Sequence, residues 1–240
     1  MKTGPEDVDA VISYFRTLQR KGIRSVYFDG SQERPATATT EKIDETRPVS
    51  VKTSAKSVPE KLAALDAQVK QCTECALHEG RTKTVFGKGN PETRVMFIGE
   101  GPGRDEDLKG EPFVGRSGQL LTKMIAAIDL TRDDVYITNI VKCRPPNNRN
   151  PQEDEVRCCE KYLIAQIEAI RPRIICALGL VSAHWLLDTK ESLGKLRTSE
   201  NSYQGTQVLV TYHPAALLRN PGLKRNAWED FKQLRDIINA

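Results

Sequence analysis

The chain has 240 residues, of which 38% are hydrophobic and 28% charged, with a net charge of +4 and a pI near 8.7. That length is enough to bury a proper core as one domain or a domain with an appendage, and no apolar run is long enough to span a bilayer. The start from Met1 to Asp7 carries no apolar signal region, and the mild positive charge suits a polyanionic partner without requiring one. The expectation is a soluble, intracellular protein, in which six cysteines argue against a disulfide framework and for a metal site or scattered core thiols.

In chain order, Val8, Val11, Ile12, Tyr14, Phe15 and Leu18 recur at helical spacing and Gly22 supplies a stop, so a short amphipathic helix is expected between Pro5 and Arg20. A brief strand is possible at Ile23 to Phe28. From Ser31 the chain is rich in Thr, Ser, Pro, Glu and Lys with almost nothing to bury, which reads as a flexible linker. Residues 1–30 are therefore expected to form a helical appendage, 31–58 a linker, and 59–240 the globular domain. An amphipathic helix on such an arm suits docking to a protein partner, or packing on its own domain.

From Pro59 the pattern is globular. Leu62, Leu65 and Val69 predict a helix running into Cys72 and Cys75. Strands are predicted at Arg94 to Ile98, Val135 to Thr138, Arg173 to Leu178 and Val208 to Thr211. Helices are predicted at Gly118 to Ile128, Gln152 to Ile170, Leu180 to Leu187 and Leu223 to Ile238. Strands alternating with helices imply right-handed crossovers, hence an α/β fold: a three-layer α/β/α sandwich around a four-stranded parallel sheet.

The first strand ends abruptly in Gly99-Glu100-Gly101-Pro102-Gly103, where an α/β sheet places its ligands. Glycine lets backbone N–H groups approach a flat ligand, Pro102 stiffens the turn, and Glu100 and Glu106 offer carboxylates at the strand mouth.

Cys72 and Cys75 form a C-x2-C pair, and Cys143 and Cys159 lie far downstream with no second C-x2-C. Four thiolates so spaced suit a [4Fe-4S] cluster better than zinc. Cys158 competes with Cys159, since neighbours on a helix point about 100° apart and only one can face the centre. Cys176 reads as a core thiol and His78 as a stray candidate ligand.

Four blocks then stand out together: GEGPG (Gly99–Gly103) with Glu106 and Asp107, EPFVGRSG (Glu111–Gly118), ITNIVKCRPP (Ile137–Pro146) and HPAALLRNP (His213–Pro221). In this order they resemble the family 4 uracil-DNA glycosylases, iron-sulfur proteins of bacteria and archaea that initiate base excision repair. The resemblance covers Pro59 to Ala240 and not the amino-terminal arm. It implies the same sandwich fold, a [4Fe-4S] cluster on Cys72, Cys75, Cys143 and Cys159, uracil-containing DNA as partner, and a monomer in the prokaryotic cytoplasm near the nucleoid.

The residues suit that chemistry on their own terms, since releasing uracil needs an extruded base, a stabilised leaving anion and a directed water. Phe113 offers a face for stacking the base, worth about 1–3 kcal/mol. The Asn139 amide can donate to uracil O4 and accept from N3–H, and cytosine presents the reverse pattern. His213 closes the fourth strand and is expected to donate to uracil O2, whereas His184 sits in an apolar run and reads as a packed core residue. Gly101 and Pro102 are expected beside the base. Glu100 is favoured for the water or the sugar cation, Glu106 for the space near uracil C5, and Asn148 as an aid to orienting water. In family 1 glycosylases an Asp stands where this chain aligns Gly101. Leu217, Leu218 and Arg219 are expected to wedge into the duplex. The cluster is expected to pin loops, with Arg144 and Arg149 meeting phosphates.

Three rivals stand beside this reading, one of them a zinc protein of the same fold, which a brown colour with absorbance at about 400 nm would dismiss. A crosslinking relative would bind without turnover; some relatives carry Gln in place of Gly101 and an extra histidine after the fourth strand, and this chain has neither. A polymerase-associated module is suggested only by the amino-terminal arm.

Overall fold

The computed structural model describes residues 56–240. The helix expected within 1–30 and nearly all of the linker expected at 31–58 lie outside the described residues. In chain order the elements are α1 (Val58–Gln71), α2 (Leu77–Gly80), β1 (Lys88–Gly89), β2 (Val95–Gly99), α3 (Arg104–Lys109), α4 (Arg116–Ala126) and β3 (Tyr136–Asn139). Then follow α5 (Glu153–Ile170), β4 (Ile174–Leu178), α6 (Leu180–Leu187), α7 (Leu193–Thr198), β5 (Asn201–Tyr203), β6 (Thr206–Thr211), α8 (Pro214–Arg219) and α9 (Lys224–Asn239). No helix among the described residues is long and apolar enough to cross a membrane.

The sheet order is β1-β3-β2-β4-β6-β5. Its central four strands are parallel, with Phe97 opposite Ile137 on one side and Cys176 on the other. They are the four strands legible in the sequence, and the sheet is wider than expected. β1 pairs antiparallel with β3, and β5 antiparallel with β6, making a mixed six-stranded sheet.

Alternation along each central strand sorts its side chains into two cores, because successive residues face opposite sides of a sheet. Met96 and Ile98 of β2, Ile175 and Ala177 of β4, and Val208 and Val210 of β6 pack on one side with α1, α5, α6 and α7. Val95, Phe97, Ile174, Cys176 and Leu209 pack on the other with α4 and α9, where Phe97 stacks on Phe231. With both faces covered, β2, β3 and β4 are buried throughout and β6 from Val208 onward, which is why they read as continuous apolar runs. Cys176 is a core thiol, as its position suggested.

Helix starts follow local chemistry. Ser57 caps α1 in a reciprocal box with Glu60, and Gln152 and Glu155 do the same for α5. α4 begins at Gly115-Arg116, slightly earlier than the apolar pattern indicated. α9 is tied to the sheet by a buried polar cluster: Arg197 of α7 grips Asp230 with Nε at 2.8 Å and Nη2 at 2.6 Å, and Thr211 Oγ1 donates to Asp230 at 2.6 Å. Arg197 also lies over the Tyr212 ring at 4.4 Å. This cluster fixes the end of β6 immediately before His213.

Both members of that pair are shielded, with side chains 10% and 6% exposed. Removing one partner strands the other charge, so Asp230→Ala is expected to cost about 3–5 kcal/mol in denaturant unfolding. A loss below about 1 kcal/mol would show that the cluster is not what holds α9 and β6 together.

Candidate active site

The carboxyl ends of the four parallel strands open into one cleft of about 560 Å³. β2 delivers Glu100, β3 delivers Asn139, β4 leads to Gly179 and β6 leads to His213, and all four line it. This is where a doubly wound sheet leaves space between diverging loops.

Asn139 is 1% exposed. Among the described residues, its Oδ1 is the one buried side-chain polar atom with no hydrogen-bond partner. An unpaired buried acceptor costs about 1–3 kcal/mol, so its retention marks a place where a ligand completes the bond. Gly99 makes the approach possible: a Cβ there would lie 2.4 Å from Asn139 Oδ1 and 2.6 Å from the Phe113 ring.

Phe113 is buried against this amide with φ of +53°, a left-handed conformation uncommon for an aromatic residue. Three groups hold it there. Arg132 donates from Nη2 to the Pro112 carbonyl at 2.7 Å and from Nη1 to the Phe113 carbonyl at 3.2 Å. Glu106 Oε1 accepts the backbone N–H groups of Val114 and Gly115, both at 2.9 Å. Gly118 passes so close that a Cβ would sit 1.8 Å from the Phe113 oxygen. The Phe113 ring lies 5.5 Å from the His213 ring, tilted by 36°.

His213 Nδ1 accepts the Ala215 backbone N–H at 3.1 Å. An accepting Nδ1 carries no proton, so the neutral ring bears it on Nε2. Burial, followed by the charge of Arg219, pushes the imidazole down to about 4. The ring is therefore a neutral donor at physiological pH.

The two carboxylates part company. Glu100 lines the cleft, and desolvation holds its carboxyl above the usual carboxylate range; no cation or donor among the described residues pairs with it. Glu106 also lines the cleft, but the backbone of the Phe113 loop occupies one of its oxygens, which makes it a brace for the stacking residue. Gly101 and Pro102 lie in the cleft wall, and a Cβ at Gly101 would press within 2.8 Å of Val141 Cγ2.

Three expectations are corrected. The segment after His213 is the helix α8 rather than an open loop, and it turns Leu217 inward at 1% exposure, so Leu217 packs and does not wedge. Leu218, at 39%, and Arg219 face outward. Arg149 is not a free cation: Glu155 holds it through two bonds of 2.8 Å and 2.6 Å, while its side chain stays partly exposed at the cleft wall. His184 is only half buried, its Nε2 donating to the Glu191 carbonyl at 2.8 Å. Asn148, with φ of +54°, lines the cleft and accepts from Arg144 Nε at 2.8 Å.

Cys72, Cys75, Cys143, Cys158 and Cys159 surround a second, small pocket between α1, α5 and the segment after β3, and none is disulfide-bonded. Arg81 Nη1 donates to Cys143 Sγ at 3.2 Å and the Lys142 backbone N–H to Cys159 Sγ at 3.3 Å. Such N–H donors suit sulfurs that carry charge. Burial raises the Cys75, Cys143 and Cys159 thiols, a cost that an iron centre taking thiolate ligands offsets. Among the described residues no three His, Cys, Asp or Glu side chains converge on one point as a metal-ion site. His78 lines this pocket but donates Nδ1–H to the Cys75 carbonyl at 2.8 Å.

Sequence reasoning passed over Arg132 and Lys142. Arg132 sits in a polar loop with no motif, and only its long-range bonds to the Phe113 loop reveal it. Lys142 lay in plain view inside a quoted block, where a lysine beside a cysteine suggests surface charge rather than the full burial found.

Residues 86–232 match the family model described as the uracil DNA glycosylase superfamily. The Type-4 uracil-DNA glycosylase of Archaeoglobus fulgidus is 44% identical over 186 residues, 74% of this chain and 94% of the relative. That of Saccharolobus solfataricus is 46% identical over 182 residues, covering 72% and 84%, and that of Thermotoga maritima 45% over 183, covering 75% and 95%. With the cleft, its unpaired amide and these matches in agreement, the chain belongs to the uracil DNA glycosylase superfamily, alongside its type-4 members.

Proposed function

We propose that this chain is a uracil-DNA glycosylase that draws uracil out of DNA and hydrolyses its N-glycosidic bond, leaving an abasic site. The observation that carries the reading is the unpaired Asn139 amide on the cleft floor. Uracil offers N3–H to Oδ1 and O4 to the amide nitrogen. Cytosine, with an acceptor at N3 and donors at C4, leaves both mismatched, the circumstance in which a site rejects an analogue by about 10⁴ or more.

In this reading the extruded base stacks on Phe113, held by Glu106 and Arg132. As the glycosidic bond lengthens, negative charge gathers on uracil O2 and the neutral His213 donates Nε2–H to it, a bond that strengthens as charge develops. Glu100, unpaired in the cleft, receives the proton of the attacking water or faces the cationic sugar. Leu218 enters the space left in the stack and Arg219 meets the backbone. Cys72, Cys75, Cys143 and Cys159 would hold a [4Fe-4S] cluster whose part is to brace the segment following β3.

A uracil-containing oligonucleotide tests the activity through alkali-labile breaks. Asn139→Asp should lower uracil release by about 10³ or more while leaving the thermal midpoint nearly unchanged, because a carboxylate cannot donate to O4. Equal losses of folding and activity would mark Asn139 as structural.

His213→Ala should cost about 10²–10³ in rate. The folded imidazole titrates near 4 and the unfolded one near about 6.5, so the unfolded chain binds the proton more readily. The stability it contributes is therefore complete above about pH 6.5 and lost as pH falls toward 4. The rate profile should show no histidine step at neutral pH; a step near 6.5 that vanishes in His213→Ala would contradict the assignment.

Leu218→Ala should slow release from duplex DNA by about tenfold and barely affect single-stranded DNA, where nothing needs unstacking. Equal losses on both substrates would remove Leu218 from the wedge.

A further inference from the structure

Lys142 is 1% exposed, among the largest wholly buried side chains described. Its ammonium donates to three oxygens: Gln166 Oε1 at 2.6 Å, the Asn139 backbone carbonyl at 2.7 Å and Thr138 Oγ1 at 2.8 Å. None belongs to a carboxylate, and no carboxylate among the described residues forms an ion pair with it. Buried ammonium groups are costly and ordinarily paired, so a lysine kept here is explained by what its three bonds hold in place.

The peptide unit joining Asn139 to Ile140 is gripped at both ends. Its N–H donates to the Gly99 carbonyl at 3.0 Å, and its carbonyl accepts from Lys142. The orientation of this unit sets the backbone angle of Asn139 and with it the direction of the amide on the cleft floor. The next residue is tied as well, Val141 N–H donating to the Glu100 carbonyl at 3.2 Å. The Lys142 backbone faces the other way. Its N–H reaches Cys159 Sγ at 3.3 Å and its carbonyl accepts from Val85 N–H at 2.8 Å, with Cys143 the next residue along.

We propose that Lys142 is a positioning residue for base recognition, fixing the aim of the Asn139 amide and coupling it to the cysteine centre. One residue thus bonds through its side chain to the Asn139 carbonyl and through its backbone N–H to Cys159 Sγ. This rests on Asn139 being the reader of uracil.

The test is a double-mutant cycle in the full, iron-containing chain. Lys142→Met should retain iron content and a cooperative melt while single-turnover uracil release falls about 10- to 100-fold, the usual effect of losing a supporting partner. In an Asn139→Ala background the same change should add less than about threefold, because a residue acting through Asn139 has nothing left to position. If Lys142→Met does not fold, Thr138→Val removes one ammonium acceptor at constant shape and runs the same cycle. Losses that multiply independently, or a rate unchanged by the substitution, would overturn the proposal. Asn139→Ala retaining full activity would instead sink the uracil reading on which it stands.

Discussion

A single unpaired carbonyl oxygen, buried at the end of β3, sets the terms for the rest of the molecule. Asn139 Oδ1 has lost its water without gaining a protein partner, a penalty of about 1–3 kcal/mol that a stable domain carries only where a ligand removes it. Keeping the acceptor free requires that nothing nearby relax into it. Gly99 supplies room without a side chain, Phe113 is locked in a left-handed conformation above it, and the Asn139 carbonyl is fixed from below by Lys142. Such rigidity turns a hydrogen-bond pattern into selectivity, because a site able to adjust would let cytosine pair as well as uracil.

The remaining groups answer to the same demand for fixed geometry. His213 holds its proton on Nε2 because the first turn of α8 occupies Nδ1, and the Arg197–Asp230–Thr211 cluster secures the strand that carries it. Glu106, a carboxylate at the strand mouth, is used to hold backbone, while Glu100 is left unpaired. Proximity of two acids to one pocket did not make them equivalent; the difference lies in which oxygens were already committed.

Much of this was legible in the chain. The four central strands announced themselves as apolar runs because both faces of a parallel sheet are covered, and the glycines after β2 marked the cleft. That Cys72 and Cys75 share a pocket was readable because the C-x2-C spacing is local, whereas the approach of Cys143 and Cys159 to them depends on the fold. Other features carry no local signal. β1 and β5 are edge strands of two and three residues, too short to show alternation. Leu217 and Leu218 are adjacent leucines, and only the helical turn of α8 decides which faces the core. Arg149 read as a free cation, and its ion pair with Glu155, a buried acid on α5, had no signal in the sequence. Arg132 acts on the Phe113 loop, which no spacing rule connects to it, and Lys142 ties the nearby Thr138 and Asn139 to Gln166 on α5, a burial that its neighbours in sequence do not announce.

The most direct measurement follows the Asn139 side-chain amide by NMR while the protein is titrated with free uracil and, separately, with 3-methyluracil. Uracil should shift that resonance strongly and 3-methyluracil should leave it where it was, because the methyl group replaces the one proton Oδ1 lacks. Equal responses to the two bases, or none to uracil, would contradict the claim that the buried oxygen awaits the N3–H of a pyrimidine.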